Sequence, residues 1–206
     1  MIMCVNYQPV TRDDLEAWFG IPVPESLNWP DETWQDYAAP IIVAGEGVPR
    51  QLKLGSYGMV PKRHIPPHVK KYTTMNARSE TAGQLRSYSR AWKSSQLCLV
   101  PMRAFYEPNW ESGTHTRFRI ARPDDRPFAA AGIWREWDEA DGSRSVAFTQ
   151  LTVNADEHPV LNRFHRPGEE KRSLVIVPPD EYDAWLACRD PELARTFMRL
   201  LSPDHY

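Results

Sequence analysis

Nineteen prolines in 206 residues set the first limit on what this chain can fold into. Each fixes its own φ, lacks a backbone N–H and pushes the preceding residue out of the helical region. Long helices are thereby disfavoured, and many short elements joined by ordered loops are expected. Between the prolines the sequence reads mainly as strands: residues 40–44 (PIIVA), 51–54 (QLKL), 97–100 (LCLV), 103–107 (RAFYE), 116–120 (TRFRI, alternating), 129–137, 146–153 and 174–177 (LVIV). An acidic turn from Asp138 to Ser143, with Asp141-Gly142, suits a hairpin.

Helices are expected where caps and spacing agree. Thr11 opens a short one that Gly20 stops, and residues 21–40 then read as an ordered covering loop. Residues 84–95 place Leu85, Tyr88 and Trp92 at helical spacing, with Arg86, Arg90 and Lys93 on other faces, as a basic amphipathic helix. Two more are predicted over 180–187 and 190–201, the second with Pro191 at its first position. The fold class expected is α+β: a β-rich, mostly antiparallel sheet or barrel covered by several short helices, forming one domain over residues 1–206. A chain of this length buries roughly 70% of its unfolded surface, so no partner is needed for stability and a monomer is the expectation.

The formal net charge of -2 excludes a global positive field, so any nucleic-acid affinity must come from a local patch. Candidate patches are Lys62-Arg63 with Lys70-Lys71, then Arg86, Arg90 and Lys93, then Arg163, Arg166, Lys171 and Arg172. The cysteines, Cys4, Cys98 and Cys188, are odd in number and lack CxxC spacing, which points to a reducing compartment. His64 and His68 are separated by Pro66-Pro67, so they cannot align on a helix as metal ligands; neither metal nor other cofactor is expected. With no apolar run near 18 residues and no basic-then-apolar leader, the expected location is cytoplasmic, away from membranes.

Four places could carry chemistry. Asn76-Ala77-Arg78-Ser79-Glu80-Thr81 offers an amide, a guanidinium, hydroxyls and a carboxylate with no apolar period, as a site or a turn would. Cys4, if it became the first residue, would join a thiol to an α-amine of reference pKa about 7.7–8.0. Such a 1,2-aminothiol condenses with an aldehyde to an imine, and its sulfur then closes a thiazolidine ring. Left internal, Cys4 is a small apolar residue. Glu107 is the polar end of a strand or a general acid/base, and His165, in the charged run NRFHRPGEEKR, is a surface residue or a proton shuttle.

Taken together, NARSET at 76–81, LCLVP at 97–101 with FYE at 105–107, AGIW at 131–134, FTQLT at 148–152 and His165 resemble the SOS response-associated peptidase (SRAP) family, in matching order from Cys4 to about Pro178. The resemblance implies a core over about residues 4–178 with C-terminal helices at about 179–201. It also implies a DNA-damage response protein that recognises abasic sites in single-stranded DNA, nucleoid-associated when bound, and cross-links the ring-opened aldehyde through an N-terminal cysteine. By position, Cys4 would be the nucleophile, Asn76 would orient it or the sugar, and Glu107 and His165 would move protons. Arg78, Thr152 and Arg172 would belong to the DNA-binding surface.

The chain departs from the family pattern in three places. Met-Cys-Gly-Arg-Phe becomes Met3-Cys4-Val5-Asn6-Tyr7, Trp-Gly-Leu-Val-Pro becomes Tyr57-Gly58-Met59-Val60-Pro61, and Pro108 stands where an aromatic usually follows the glutamate. Because Met1-Ile2-Met3 precedes Cys4, exposing it takes a start at Met3 or self-trimming, the family's proposed autopeptidase activity. The alternatives are a non-covalent single-stranded nucleic-acid-binding module and a cysteine peptidase acting on other proteins.

Overall fold

The structure is a computed structural model and describes residues 6–206. Ten strands form one sheet: β1 (Tyr7–Pro9), β2 (Ala38–Val43), β3 (Gln51–Tyr57), β4 (Asn76–Arg78), β5 (Leu97–Asn109), β6 (Thr116–Ile120), β7 (Phe128–Asp138), β8 (Arg144–Asn154), β9 (Arg172–Leu174) and β10 (Ile176–Val177). Four short α-helices accompany them: α1 (Arg12–Phe19), α2 (Ser89–Lys93), α3 (Tyr182–Ala187) and α4 (Pro191–Ala194). None is long and apolar enough to cross a membrane.

Five strands close on themselves. β5 pairs with β2, β2 with β3, β3 with β8 in parallel, β8 with β7, and β7 returns to β5. Closure removes the sheet edges that would otherwise expose unpaired backbone. Period-two alternation then sorts the side chains. Ile41, Val43, Tyr57, Cys98, Val100, Ala130 and Phe148 pack together inside, while Ile42, Leu97, Leu99, Ala129, Ala131, Ile133 and Leu151 form a second core beneath the helices. Gly132 marks how close the walls approach, because a Cβ there would lie 2.7 Å from the Thr149 carbonyl oxygen and 2.9 Å from Cys98 Sγ.

The helices follow from their caps and their buried faces. In α1, Thr11 and Asp14 form a reciprocal capping box, and Gly20 ends the helix at φ 67°. Asp14 is buried there and receives the Arg103 guanidinium of β5 at 2.5 and 2.7 Å, which fastens α1 to the barrel. Beneath α3, Trp185 is wholly buried and donates its indole N–H to the Cys98 carbonyl at 2.9 Å. At α4, Asp190 accepts from the Glu192 N–H with Pro191 at the first position, as its sequence signals.

Several boundaries differ from the sequence expectation. Ala38 and Ala39 belong to β2 rather than to the covering loop. The strands expected at 97–100 and 103–107 are one strand, β5, running through Pro101. Pro101 falls between the positions paired to β2 (Cys98 and Leu99) and those paired to β1 (Met102, Ala104 and Phe105), so on that side its missing N–H leaves no ladder bond unmade. The strand expected at 174–177 is two, because β8 and β7 diverge there. Val175 bridges them, donating to the Leu151 carbonyl at 3.0 Å and accepting from the Ala131 N–H at 2.7 Å.

The helix expected over 84–95 is helical only at Ser89–Lys93, and Leu85 is exposed. Tyr88 is drawn instead toward Asn76, donating its hydroxyl to that residue's carbonyl at 3.0 Å. The helix expected over 190–201 gives way to a 3-10 turn at Arg195–Phe197 and then to irregular chain that lays Leu200 and Leu201 on the barrel-interior core.

Candidate functional site

The strand that forms one barrel wall also carries the candidate carboxylate. β5 continues beyond the barrel between β1 and β6, and Glu107 on this extension is 3% exposed. The loop holding His165 docks against it. Phe164 bridges Asn109, the Asn109 side-chain amide donates to the Arg163 carbonyl at 3.1 Å, and the His165 N–H donates to the Pro108 carbonyl at 2.8 Å. Lys171 Nζ donates to the carbonyls of His165 and Arg166 at 3.2 and 2.7 Å. These ties hold His165 at φ 64°, a left-handed conformation that a non-glycine residue adopts at a cost.

Held this way, the His165 side chain is 1% exposed and its Nε2 lies 3.0 Å from the Arg172 carbonyl and 3.6 Å from Glu107 Oε2. A carbonyl only accepts, so Nε2 carries the proton and Nδ1 is the basic nitrogen. Burial is the largest cause that lowers the pKa of His165, and the hydrogen bond to Arg172 opposes it. The pair is thus a buried carboxyl group beside an imidazole that resists protonation, with Nδ1 the nitrogen able to take a proton. The described chain begins nearby: the Asn6 carbonyl accepts from the Tyr106 N–H at 3.3 Å, next to Glu107. Cys4 lies outside the described residues.

Asn76 and Arg78 stand on β4, which runs parallel to the end of β8. Asn76 is in register with Gln150 and Arg78 with Thr152, so all four side chains share one face, and Ala77 between them packs into the core beneath the helices. Gln150 is fully buried and accepts the Tyr57 hydroxyl at 2.8 Å. This pair occupies the barrel interior next to Asn76.

Arg172 connects the two halves. Its carbonyl holds His165, while its guanidinium, on a side chain 1% exposed, donates to Thr152 Oγ1 at 3.3 Å, the Thr152 carbonyl at 2.8 Å, Glu170 at 2.6 Å and Glu80 at 2.8 Å. Glu170 also receives Arg78 at 2.7 Å, and Thr152 Oγ1 donates to the Ala77 carbonyl at 3.4 Å. For Glu80, burial would raise the pKa, but the hydrogen bond and charge of Arg172 outweigh it and the carboxyl stays ionised below its ordinary range. Glu170 behaves likewise, with Arg172, Arg78 and Asn154 overcoming burial.

The structure therefore gathers Glu107, His165, Thr152, Arg172, Arg78 and the backbone of Ala77, the residue after Asn76, into one connected network. Thr152 and Arg172 are buried struts in it, and Arg78 is the more exposed arginine. In the sequence Glu80 stands within the polar run without an evident partner, and Glu170, Tyr57 and Gln150 are not among the candidate site residues that the sequence offers. Glu170 lies two residues from Arg172 in HRPGEEKR, a signal available in the sequence, whereas its tie to Arg78 depends on folding. Among the described residues no group of three or more His, Cys, Asp or Glu could hold a metal ion.

Comparison with known proteins agrees with the fold. A protein of known crystal structure from Bordetella bronchiseptica is 33% identical, with a TM-score of 0.86 over 98% of this chain and 96% of that one. A second, from Bacteroides thetaiotaomicron, is 17% identical and shares the fold, with a TM-score of 0.75 over 98% and 89%. The abasic site processing protein YoqW of Bacillus subtilis is 26% identical over 147 residues, which are 68% of this chain and 62% of that protein. YobE, an abasic site processing protein of the same bacterium, is 26% identical over 141 residues, 65% of this chain and 61% of that protein. The chain thus spans less than two thirds of the length of these curated relatives. The sequence profile of the SOS response associated peptidase family matches residues 3–205, nearly the whole chain, and the chain belongs to that family.

Proposed function

We propose that this protein recognises abasic sites in single-stranded DNA and captures the ring-opened deoxyribose through Cys4 as the N-terminal residue. The observation that carries the reading is the buried Glu107–His165 pair at the end of the strand beside which the described chain begins. Capture proceeds in two balanced steps. The Cys4 α-amine attacks the C1′ aldehyde and expels one water to give an imine; its thiol then adds to the imine carbon, and the thiol proton ends on the nitrogen of the closed thiazolidine. The first step requires a proton to leave the amine and another to reach the departing hydroxyl, which Glu107 and the neutral His165 supply between them. Asn76 orients the sugar, Arg78 meets a flanking phosphate, and Thr152 with Arg172 fix the positions of Arg78 and His165.

Two further elements belong to the proposal. The residues before Cys4 are removed by the same constellation acting on its own chain, or translation begins at Met3. The protein works as a monomer in the cytoplasm. The curated relatives named as abasic site processing proteins support the substrate class.

The test incubates purified protein with single-stranded DNA bearing one abasic site, resolves the products on a denaturing gel and reads the N-terminus by intact mass. A shifted band in wild type that vanishes in Cys4→Ala and Cys4→Ser is expected. Absence of the band from a preparation whose first residue is Cys4 would sink the reading.

A further inference from the structure

Most cations in this chain answer a carboxylate. Arg50 meets Asp183, Arg63 meets Glu139, Arg103 meets Asp14, Arg163 meets Glu111, and Arg172 meets two acids. One cleft is arranged differently. About 390 Å³ in volume, it lies between α2 and the start of the β7–β8 hairpin, and Arg90, Arg135 and Arg144 line it with Ser87 and Gln96.

Of these arginines only Arg144 has carboxylate partners, Glu136 and Asp138, each at 3.3 Å. Both acids line the cleft, and Glu136 is further engaged by Lys53 at 3.6 Å. Neither Arg90 nor Arg135 is paired to an acid among the described residues. Arg135 is also held in place: its guanidinium carbon sits 3.7 Å from the centroid of the Trp137 ring. That ring is itself stacked with His64 at 4.2 Å and donates its N–H to the Met59 carbonyl at 3.2 Å. Burial and then the charge of Arg90 lower the pKa of Arg135, so the two guanidiniums stand near enough to repel.

Two like charges facing one recess, one of them half-buried and braced on an aromatic face, raise the energy of the empty site, and an anion between them relieves it. The Arg135 Nε donates to the Glu136 carbonyl at 3.5 Å, and stacking on Trp137 leaves the Nη1 and Nη2 groups for the planar two-oxygen recognition that suits a phosphate. Tyr88 places this cleft relative to the candidate site, because its hydroxyl reaches the Asn76 carbonyl while Arg90, two residues on in α2, opens on the cleft.

We propose that the cleft is a second phosphodiester site, which holds the backbone of a single DNA strand continuing past the Asn76–Arg78 strand over α2. It rests on the proposed function for its substrate class and adds to it a length requirement: a strand confined to the catalytic site never reaches Arg90 and Arg135.

The experiment compares wild type with the double variant Arg90→Gln, Arg135→Gln, using fluorescein-labelled undamaged single-stranded DNA of about 20 nucleotides and of about 5 nucleotides, at several salt concentrations. The variant is expected to bind the longer strand about tenfold more weakly at low salt. Its log–log salt slope should be shallower by about 1.4, the release expected for two phosphates on a single strand. Affinity for the shorter strand should change less than twofold. Equal affinity and equal slope for the longer strand in the two proteins would overturn the proposal.

Inorganic pyrophosphate is titrated in parallel. Pyrophosphate that binds wild type but not the variant, while both proteins hold the longer strand equally, would assign the cleft to a free phosphate and also overturn the proposal. Because the DNA is undamaged, the result does not depend on covalent capture. A protein that never cross-links an abasic site can still show the length-dependent loss, and one that cross-links can still lack it.

Discussion

Two arginine clusters lie on either side of the Tyr88–Asn76 contact, and they differ in what their guanidiniums face. Arg172 is buried with Glu80, Glu170 and Thr152 around it, and its charge is spent within the fold. Arg90 and Arg135 face an open cleft, and neither is paired to an acid among the described residues. A buried arginine that ties three chain segments together acts as a strut, and its removal shows in stability. An arginine kept in place by an aromatic ring rather than a carboxylate keeps its donors for a ligand, and its removal shows in binding.

The largest effect that would sharpen this contrast is on stability. Arg172→Ala leaves two carboxylates beside a buried void and should cost about 3 kcal/mol, lowering the thermal midpoint by about 6–12 °C. If thermal unfolding showed an unchanged midpoint and only DNA affinity fell, the contrast would break at its first term.

Smaller is the effect of neutralising the acids. Glu80→Gln with Glu170→Gln should cost about 1–2 kcal/mol at neutral pH. Both carboxyls have lowered pKa values in the fold, so their stabilisation is complete above their unfolded values and is lost as pH falls through the folded ones. The variant's stability should therefore depend less on pH on the acid side, as urea unfolding at a series of acidic pH values would show.

His165 titrates below its ordinary range. Its pKa is lowered by burial, so the fold favours the neutral ring, and stability is complete above the unfolded value of about 6.5 and declines as pH falls toward the lower folded value. His165→Gln should remove that decline while keeping a polar side chain at the site. Should the wild type become more stable between neutral pH and pH about 5, the Glu107–His165 pair would be an ion pair rather than a carboxylate beside a neutral ring. Least of all should Arg90→Gln with Arg135→Gln move the thermal midpoint, by less than about 1 kcal/mol equivalent, since no carboxylate loses its partner.

The strands were legible because runs of β-branched and aromatic residues are bounded by turn signals: residues 116–120 form β6 even though four of the five are exposed, and the hairpin at Asp141-Gly142 sits where its turn residues put it. The barrel's closure was not, since it depends on β5 meeting β7 and on β3 lying parallel to β8, pairings with no local signature. Residues 84–95 misled for a related reason: their spacing fits a helix, but the tie from Tyr88 to Asn76 takes over the first turns. At the site, residue types and their order pointed to Asn76, Glu107 and His165, and the structure places the last two 3.6 Å apart. The burial of Arg172 was hidden, because an arginine in a charged stretch reads as solvated until partners 92 residues away are brought to it.

The pairing order also dictates when the site can exist during synthesis. Apart from the local β2–β3 hairpin, every strand in the first 80 residues pairs with one that emerges later: β1 and β2 with β5, β3 and β4 with β8. A nascent chain that has made Asn76 and Glu107 but not β8 has no partner for the β4 edge, and His165 follows later still. Such non-local closure is intrinsically slow. A stalled or truncated product therefore carries Asn76 and Glu107 without the strands that set them beside Gln150 and His165, and the candidate site forms only once the residues through β9 have been made.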